Sequence, residues 1–333
     1  PTEALDDPLI ARLKKRYAVY AAVCSVVLFA ACLVAAIEAS VGVAVTVFIL
    51  AILVELLVCY GIMLHFRREM LILKCERGWV VETDRGAAVV GEEDAIVPQG
   101  ISLWWNLLYI PIIAVTAAIF AVSYESIPDM VPMHVGLDGE VNAWMPKGPG
   151  IFALPIGLEV FLAAVMTFCH YIMVVSKRWT DPGAPVTSAW AYGKYLRANT
   201  TLVVSMGLLL AAVLGIGIAF AEIGVLDLME AVAIVLFITV ILCVASAAVS
   251  VVYGQAGSRL LKRSEAVSGV AEDDEHWKLG MFYWNPDDAS AVLPKRFGFG
   301  WTLNWARPVA WLWVGGILLA SVAFAVFCAV VSA

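Results

Sequence analysis

The sequence predicts an all-α integral membrane protein whose seven helices cross the bilayer, with its N-terminus inside the cell and its C-terminus outside. Of its 333 residues, 62% are hydrophobic and 15% are charged, against about 45–50% and about 25% in a soluble domain. A helix needs roughly 20 apolar residues to cross about 30 Å of hydrocarbon. Seven stretches reach that length, namely residues 17–37, 42–64, 102–123, 151–174, 201–221, 231–252 and 308–331. Their apolar runs are continuous, which excludes a transmembrane barrel because barrel strands alternate apolar and polar residues.

The distribution of positive charge predicts the orientation of these spans. Twenty of the 21 lysines and arginines lie before the first span or after the second, fourth and sixth spans, and only Lys147 lies on the other side. Because positively charged loops stay in the cytoplasm, we predict a multi-pass protein of the cell membrane with the basic side inside. The net charge of −7 does not provide the basic surface that nucleic-acid binding requires. Membrane lipids are therefore predicted partners and nucleic acids are not.

The spans and their connections divide the chain into six parts. Two connections, one outside and one inside, are long enough to carry structure of their own. The parts are an N-terminal segment with spans one and two (1–65), a cytoplasmic segment predicted as a small hairpin or a loop (66–100), spans three and four with the outer loop (101–174), a cytoplasmic loop with spans five and six (175–253), a cytoplasmic aromatic domain (254–307) and span seven (308–333).

The outer loop, residues 125–150, is dense in proline and glycine, which predicts a rigid cap with a tight turn at Leu137–Glu140. Trp144 is predicted to rest at the level of the lipid headgroups. Oxygen and imidazole groups together suit a cation, but no spacing matches a metal signature, so metal binding stays open. Alternatively, the acids are solvated and the histidine packs locally. The candidate ligand-binding residues of the loop are His134, Asp138, Glu140 and Asp129.

The same loop resembles a known family. The run Ile127-Pro128-Asp129, followed by Pro132, His134, Gly139 and Trp144, is similar to a domain of unknown function in bacterial membrane proteins that include the SdpI-like immunity proteins. The family pattern usually has an aromatic residue after the histidine and an aspartate further on, where this chain has Val135 and Asn142. The resemblance implies a membrane protein that protects a cell from a secreted killing factor.

The cytoplasmic segment 272–308 is rich in aromatic residues and ends directly before the last span. We predict a strand at Met281–Trp284, a turn at Asn285–Asp288 and a returning strand at Ala291–Leu293. Aromatic rings beside basic residues favour a hairpin that lies against the inner headgroups, and a ligand or partner site is the alternative. This segment resembles a second uncharacterised domain of such proteins. With Trp144, the residues predicted at the membrane surface are Trp277, Tyr283, Trp284, Trp301 and Trp305.

Two carboxylates, Glu55 and Glu159, lie within predicted spans. A lone ionised carboxylate there costs a few kcal/mol, so each is predicted to be protonated, paired or facing a polar cavity. Glu159 is the fifth candidate ligand-binding residue, predicted to line the space beneath the His134 loop. Helix–helix hydrogen bonding is the alternative role for both acids. His65 and His170 are predicted as polar tips at the cytoplasmic ends of spans two and four.

These observations favour a protein of the immunity or signal-sensing type. Its outer loop would bind an extracellular peptide or envelope ligand, and its inner hairpin would meet a cytosolic protein. One alternative is a small-molecule or ion transporter that uses Glu55 and Glu159. The other is an intramembrane enzyme, which ranks last because the sequence contains no HExxH or GxSxG motif and no paired aspartates on two spans. The sequence contains no CxxC pair and predicts neither a catalytic residue nor a cofactor.

Overall fold

The computed structural model describes residues 7–38, 41–79, 97–136, 139–178, 180, 184–263, 274–296 and 299–331. Within these residues, seven helices are long and apolar enough to cross a membrane, which agrees with the predicted number of spans. The hairpin or loop predicted in 66–100 falls mostly on residues 80–96, which lie outside the described part. The helices are α1 (Pro8–Glu38), α2 (Val41–Glu76), α3 (Tyr109–Ser123), α4 (Gly150–Val175), α5 (Pro185–Glu222), α6 (Leu228–Tyr253), the short α7 (Ser258–Arg263) and α8 (Pro308–Val331).

The chain divides into two compact units. The first unit comprises Pro1–Gly86 and Gly269–Met281, and the second comprises Ala87–Ser268 and Phe282–Ala333. In the first unit, α1 packs against α2, and Ser25 donates a 2.5 Å hydrogen bond to Glu55. Glu55 therefore has a partner on the neighbouring helix, which is one of the arrangements predicted for an intramembrane acid.

In the second unit, α5 is the central helix and packs against α3, α4 and α6, while α4 also packs against α8. The buried face of α5 carries a small residue on successive turns, which lets the neighbouring helices approach closely. Phe161 of α4 stacks on Phe324 of α8 with ring centroids 4.4 Å apart. Small residues on α5 and aromatic rings on α4 and α8 thus provide the packing of this bundle. The small residues are Gly207, Ala211, Gly215 and Ala219.

The segment between α3 and α4 forms an antiparallel β-hairpin, which extends the predicted rigid loop into regular structure. Strand β1 (Met130–Val135) pairs with β2 (Val141–Pro146). The backbone bond from Lys147 N to Asp129 O, 2.8 Å long, closes its base. The predicted tight turn includes Leu137 and Asp138, which lie outside the described residues.

The described residues of the aromatic segment form four short strands, β3 (Trp277–Lys278), β4 (Phe282–Tyr283), β5 (Val292–Pro294) and β6 (Trp301–Leu303). The sequence expectation of a strand near 281–284 and another near 291–293 is confirmed in position. Their pairing differs, because β5 pairs antiparallel with β6, and Tyr283 forms a parallel bridge to Asn304. Residues after the predicted hairpin therefore supply the partner strand.

Candidate functional site

One face of the β1–β2 hairpin is fixed in an apolar cluster at the end of the bundle where α3 ends and α4 begins. The cross-strand pair Val131–Met145 packs with Ile151 of α4 and Ala219 of α5. Val131 and Ile151 are completely buried. Alternation along a strand makes this possible, because every second side chain points to the same face. The hairpin is thus held by side-chain packing as well as by its two chain connections.

The opposite face of the hairpin is exposed. Met130 and Trp144 retain 49% and 54% of their accessible surface, and Trp144 pairs across the strands with Pro132. The exposed His134 approaches Asn142 with 2.5 Å between its Nδ1 and the amide oxygen, which requires the proton to be on Nδ1. Asn142 occupies the position where the family pattern of the outer loop usually has an aspartate. The structure therefore brings His134 to an amide oxygen.

The remaining predicted loop residues lie at the two ends of this hairpin. Asp129 directly precedes β1, and Glu140 directly precedes β2 and is exposed. Asp138 lies outside the described residues. Within the described part of the chain, no group of three or more His, Cys, Asp and Glu side chains is arranged to hold a metal ion. A ligand site around His134 remains a prediction.

Glu159 lies on α4, nine residues after Gly150, which corresponds to about 13 Å along the helix. Its side chain is completely buried. The hydroxyl of Thr116 on α3 donates a 2.8 Å hydrogen bond to its Oε1, and its Oε2 has no hydrogen-bond partner among the described residues. Gly215 of α5 makes room for the carboxyl, since a Cβ there would lie 1.8 Å from Oε1. Three helices therefore enclose this acid.

Glu222, the last residue of α5, is a second buried acid that sequence reasoning did not single out. It is 3% exposed, and both of its carboxyl oxygens lack a hydrogen-bond partner within the described residues. Its neighbours Ala219 and Ile223 belong to the cluster that holds the hairpin. The available signal was one acidic residue at the end of a long apolar run, which usually indicates a solvated helix end.

His170 is also buried, which corrects the prediction of a polar tip at a helix end. Its Nε2 lies 3.0 Å from the carbonyl oxygen of Ile101, and its Nδ1 lies 3.0 Å from the side-chain amide nitrogen of Asn106. A carbonyl only accepts hydrogen bonds and an amide NH₂ only donates. The ring is therefore neutral, with its proton on Nε2, and it joins α4 to the segment before α3.

The residues predicted at the membrane surface fall into three groups by exposure. Trp277 and Tyr283 are each only 4% exposed, whereas Trp144 and Trp284 keep 54% and 47% of their surface. Trp301 and Trp305 are intermediate, and Trp301 donates a 3.4 Å hydrogen bond to the hydroxyl of Tyr192. The two buried rings pack within the protein. Contact with headgroups stays a prediction for the exposed ones.

Asp288 is the centre of the polar network in the aromatic segment. Its carboxyl accepts hydrogen bonds from Lys177 (2.7 Å) and Tyr283 (3.1 Å), and also from the backbone of Ser290 (2.9 Å). Burial alone raises the pKa of the Asp288 carboxyl, but the hydrogen bonds from Lys177 and Ser290 outweigh it and hold that pKa below its ordinary value. The ion pair connects Lys177, two residues after the end of α4, to this segment.

Asn304 completes this network from within the protein. It is completely buried, and its amide nitrogen donates to the carbonyl oxygens of Asn285 and Asp288 at 2.8 and 3.1 Å. Its amide oxygen accepts from the backbone nitrogens of Asn285 and Ala306 at 3.1 and 3.2 Å. Four satisfied bonds make this side chain a structural link between β6 and the turn that follows β4.

In the comparison with known proteins, two family models match parts of the chain. The model of a domain of unknown function (DUF1648) matches residues 112–158, which include most of α3, the hairpin and the start of α4. The model of a family of unknown function (DUF5808) matches residues 286–311, from the turn after β4 to the start of α8. No curated protein and no solved structure matches the chain. The resemblance to two domains of unknown function is therefore confirmed.

Proposed function

We propose that this protein is a bacterial membrane receptor of the immunity or signal-sensing type, whose β1–β2 hairpin binds a peptide or envelope ligand outside the cell. One observation carries the proposal. The hairpin is fixed through Val131 and Met145, while Met130, His134 and Trp144 remain exposed on it. A rigid element loses little conformational entropy on binding, and exposed aromatic side chains are typical anchors of recognition surfaces.

The outer-loop pattern resembles that of a domain family that includes SdpI-like immunity proteins, and this resemblance favours a secreted peptide as the ligand. The predicted orientation supports an extracytoplasmic hairpin, because Lys147 lies alone on that side. On the opposite side, the exposed Trp284 and the segment around it would meet a cytosolic protein or the inner headgroups. Ligand recognition outside and a partner inside together define a signal-sensing protein.

The test is survival of a host strain that lacks the gene and carries either the wild type or a variant, under exposure to secreted antimicrobial peptides. We expect Trp144→Ala and His134→Ala to abolish protection at an unchanged protein level. Trp104→Ala is the matched control, since Trp104 is 77% exposed and precedes α3 at its other end. Equal protection by wild type, variants and empty vector would contradict the proposal.

A transporter for an ion or small molecule is the second candidate. The buried Glu159, with one carboxyl oxygen that has no partner among the described residues, supports it. Glu55 supports it less, because its side chain is only partly buried and is hydrogen-bonded to Ser25. Uptake of ions into vesicles that contain the wild type or Glu159→Gln distinguishes a transporter from a receptor.

A further inference from the structure

Glu159 and Glu222 lie along one face of α5. Glu159 belongs to α4 but contacts α5 at Gly215. Glu222 follows Gly215 by seven residues, which is two helical turns and about 10 Å along the axis. Residues separated by two turns lie on the same face of a helix, and the buried Ala219 lies between them. The two carboxyls therefore follow one another toward the hairpin end of the bundle.

These carboxyls are unusual because they are buried while most of their oxygens lack a hydrogen-bond partner. Glu159 is 0% and Glu222 is 3% exposed. Three of their four oxygens have no hydrogen-bond partner in the described part of the chain. Natural proteins rarely leave buried polar atoms without a partner, and each such atom needs a reason. A proton is the smallest group that makes a carboxyl neutral.

The surrounding helices provide no positive charge close enough to neutralise the two carboxylates. The sequences of α3, α4 and α8 contain no lysine or arginine. In α5, Arg197 precedes Gly215 by 18 residues, or about 27 Å along the helix. The other titratable groups on these helices are Tyr109 on α3, Cys169, His170 and Tyr171 on α4, Lys194, Tyr192 and Tyr195 on α5, Glu230, Cys243 and Tyr253 on α6, and Cys328 on α8. At the hairpin end they are Tyr124, Glu125, Asp129, His134, Glu140, Asp227 and Lys147, whose ammonium donates to the carbonyl oxygen of Ile127.

We propose that Glu159 and Glu222 form a proton-binding pair, in which a proton from water at the hairpin end reaches Glu222 first and Glu159 second. In the first step, an O–H bond forms on the Glu222 carboxylate and hydronium becomes water. In the second step, that proton passes through water to Oε2 of Glu159, and Glu222 becomes ionised again. The contact with Thr116 indicates which oxygen of Glu159 accepts the proton. The Thr116 hydroxyl already donates to Oε1, so Oε2 is the oxygen that accepts the proton.

The hairpin lies at the entrance to this pair. Ala219 and Ile223, on either side of Glu222 in the sequence, pack in the same cluster as Val131 and Met145. A proton path gives the buried acids a function that does not depend on the receptor proposal. The bundle and the exposed face of the hairpin can therefore be tested separately.

Infrared spectroscopy of the full chain in lipid nanodiscs tests the pair, because a protonated carboxyl has a C=O band distinct from that of a carboxylate. We expect a carboxylic-acid band at neutral pH that Glu159→Gln and Glu222→Gln each reduce. Transfer into D₂O should shift this band, and Glu222→Gln should slow the shift several-fold. Glu230→Gln, which changes an exposed acid at the same end, should change neither. A wild type without the band, or a Glu222→Gln variant that exchanges as fast as wild type, overturns the proposal.

A second measurement, by chemical modification, uses only the wild-type protein and therefore does not depend on whether the variants fold. Dicyclohexylcarbodiimide enters membranes and modifies protonated carboxyls, and mass spectrometry locates the modified residue in the wild-type protein. We expect modification at Glu159 and Glu222 that declines as the pH is raised. Absence of modification at both residues at every pH overturns the proposal. Neither experiment requires a peptide ligand, so its failure leaves the receptor proposal standing.

Discussion

The hydroxyl of Thr116 donates a 2.8 Å hydrogen bond to Oε1 of Glu159, and this bond connects α3 to α4 within the bundle. Both side chains are completely buried. The same carboxyl oxygen lies against Gly215 of α5. One carboxyl thus determines how closely three helices approach each other. Substitutions around it should change the stability of the bundle and the protonation of the acid together.

Gly215→Ala should destabilise the bundle, because the added Cβ would lie 1.8 Å from the carboxyl oxygen of Glu159. Overpacking of this kind costs about 1–3 kcal/mol. Gly217→Ala is the matched control, since nothing lies within 4 Å of a Cβ at that position of the same helix. Thermal unfolding in detergent measures both. An equal melting temperature for the two variants would show that Glu159 does not contact α5.

His170→Ala should lower stability by about 1–3 kcal/mol, because it leaves the buried amide of Asn106 without one of its partners. Asn106 would keep only its 2.9 Å bond to the carbonyl of Leu103. His65→Ala is the control: the His65 side chain is 57% exposed beside Glu69, and exposed pairs contribute little. Thermal unfolding of the two variants distinguishes a buried histidine from the interfacial one expected from sequence.

Asp288→Asn should destabilise the aromatic segment at neutral pH and lose this effect in acid. The pKa of the Asp288 carboxyl is lowered in the folded protein, so its contribution is fully present above the ordinary value of about 4. That contribution is lost as the pH falls through the lowered pKa. The expected cost at pH 7 is about 1–3 kcal/mol.

The pH dependence is checked by unfolding curves of the wild type and Asp288→Asn at pH 7 and below pH 4. Asp287→Asn, an exposed neighbour, serves as the control and should follow the wild type. A difference between wild type and Asp288→Asn that stays constant across this range would assign the effect to packing. A difference that shrinks in acid supports the charged hydrogen bonds.

Orientation is tested by cysteine labelling in a variant without the seven native cysteines. Positions 140 and 287 are both exposed and are separated in the chain by three of the candidate spans. We expect an impermeant maleimide to label Glu140→Cys in intact cells and Asp287→Cys only after permeabilisation. Labelling of both from the same side would contradict the predicted seven-span topology.

The sequence predicts the number of long apolar helices well, because a run of hydrophobic residues is enough to identify a candidate membrane helix. It predicts their ends less well. Span five is expected to begin at 201, whereas α5 begins at Pro185. Lys194 and Arg197 interrupt the apolar run, but the packing of Tyr192 and Tyr195, each at most 2% exposed, keeps this part helical. Tertiary contacts of this kind are invisible in a hydropathy pattern.

The candidate site is only partly predictable for a related reason. Glu159 is recognisable because an acid in the middle of an apolar run is rare. The role of Gly215 depends on three helices meeting, which local sequence does not encode. The sequence predicts a rigid loop around His134, but the place of His134 on strand β1 and its contact with Asn142 depend on strand register and on two irregularities in the pairing.

The length of α5 has a mechanical consequence. Its 38 residues extend about 57 Å, nearly twice the roughly 30 Å of hydrocarbon. Ala219 belongs to the cluster that holds the hairpin, and Tyr192 and Tyr195 belong to the cluster that includes Trp301. An axial shift or rotation of α5 as a rigid body would therefore move its residues in both clusters together. A ligand bound to the hairpin would then act on the aromatic segment through α5.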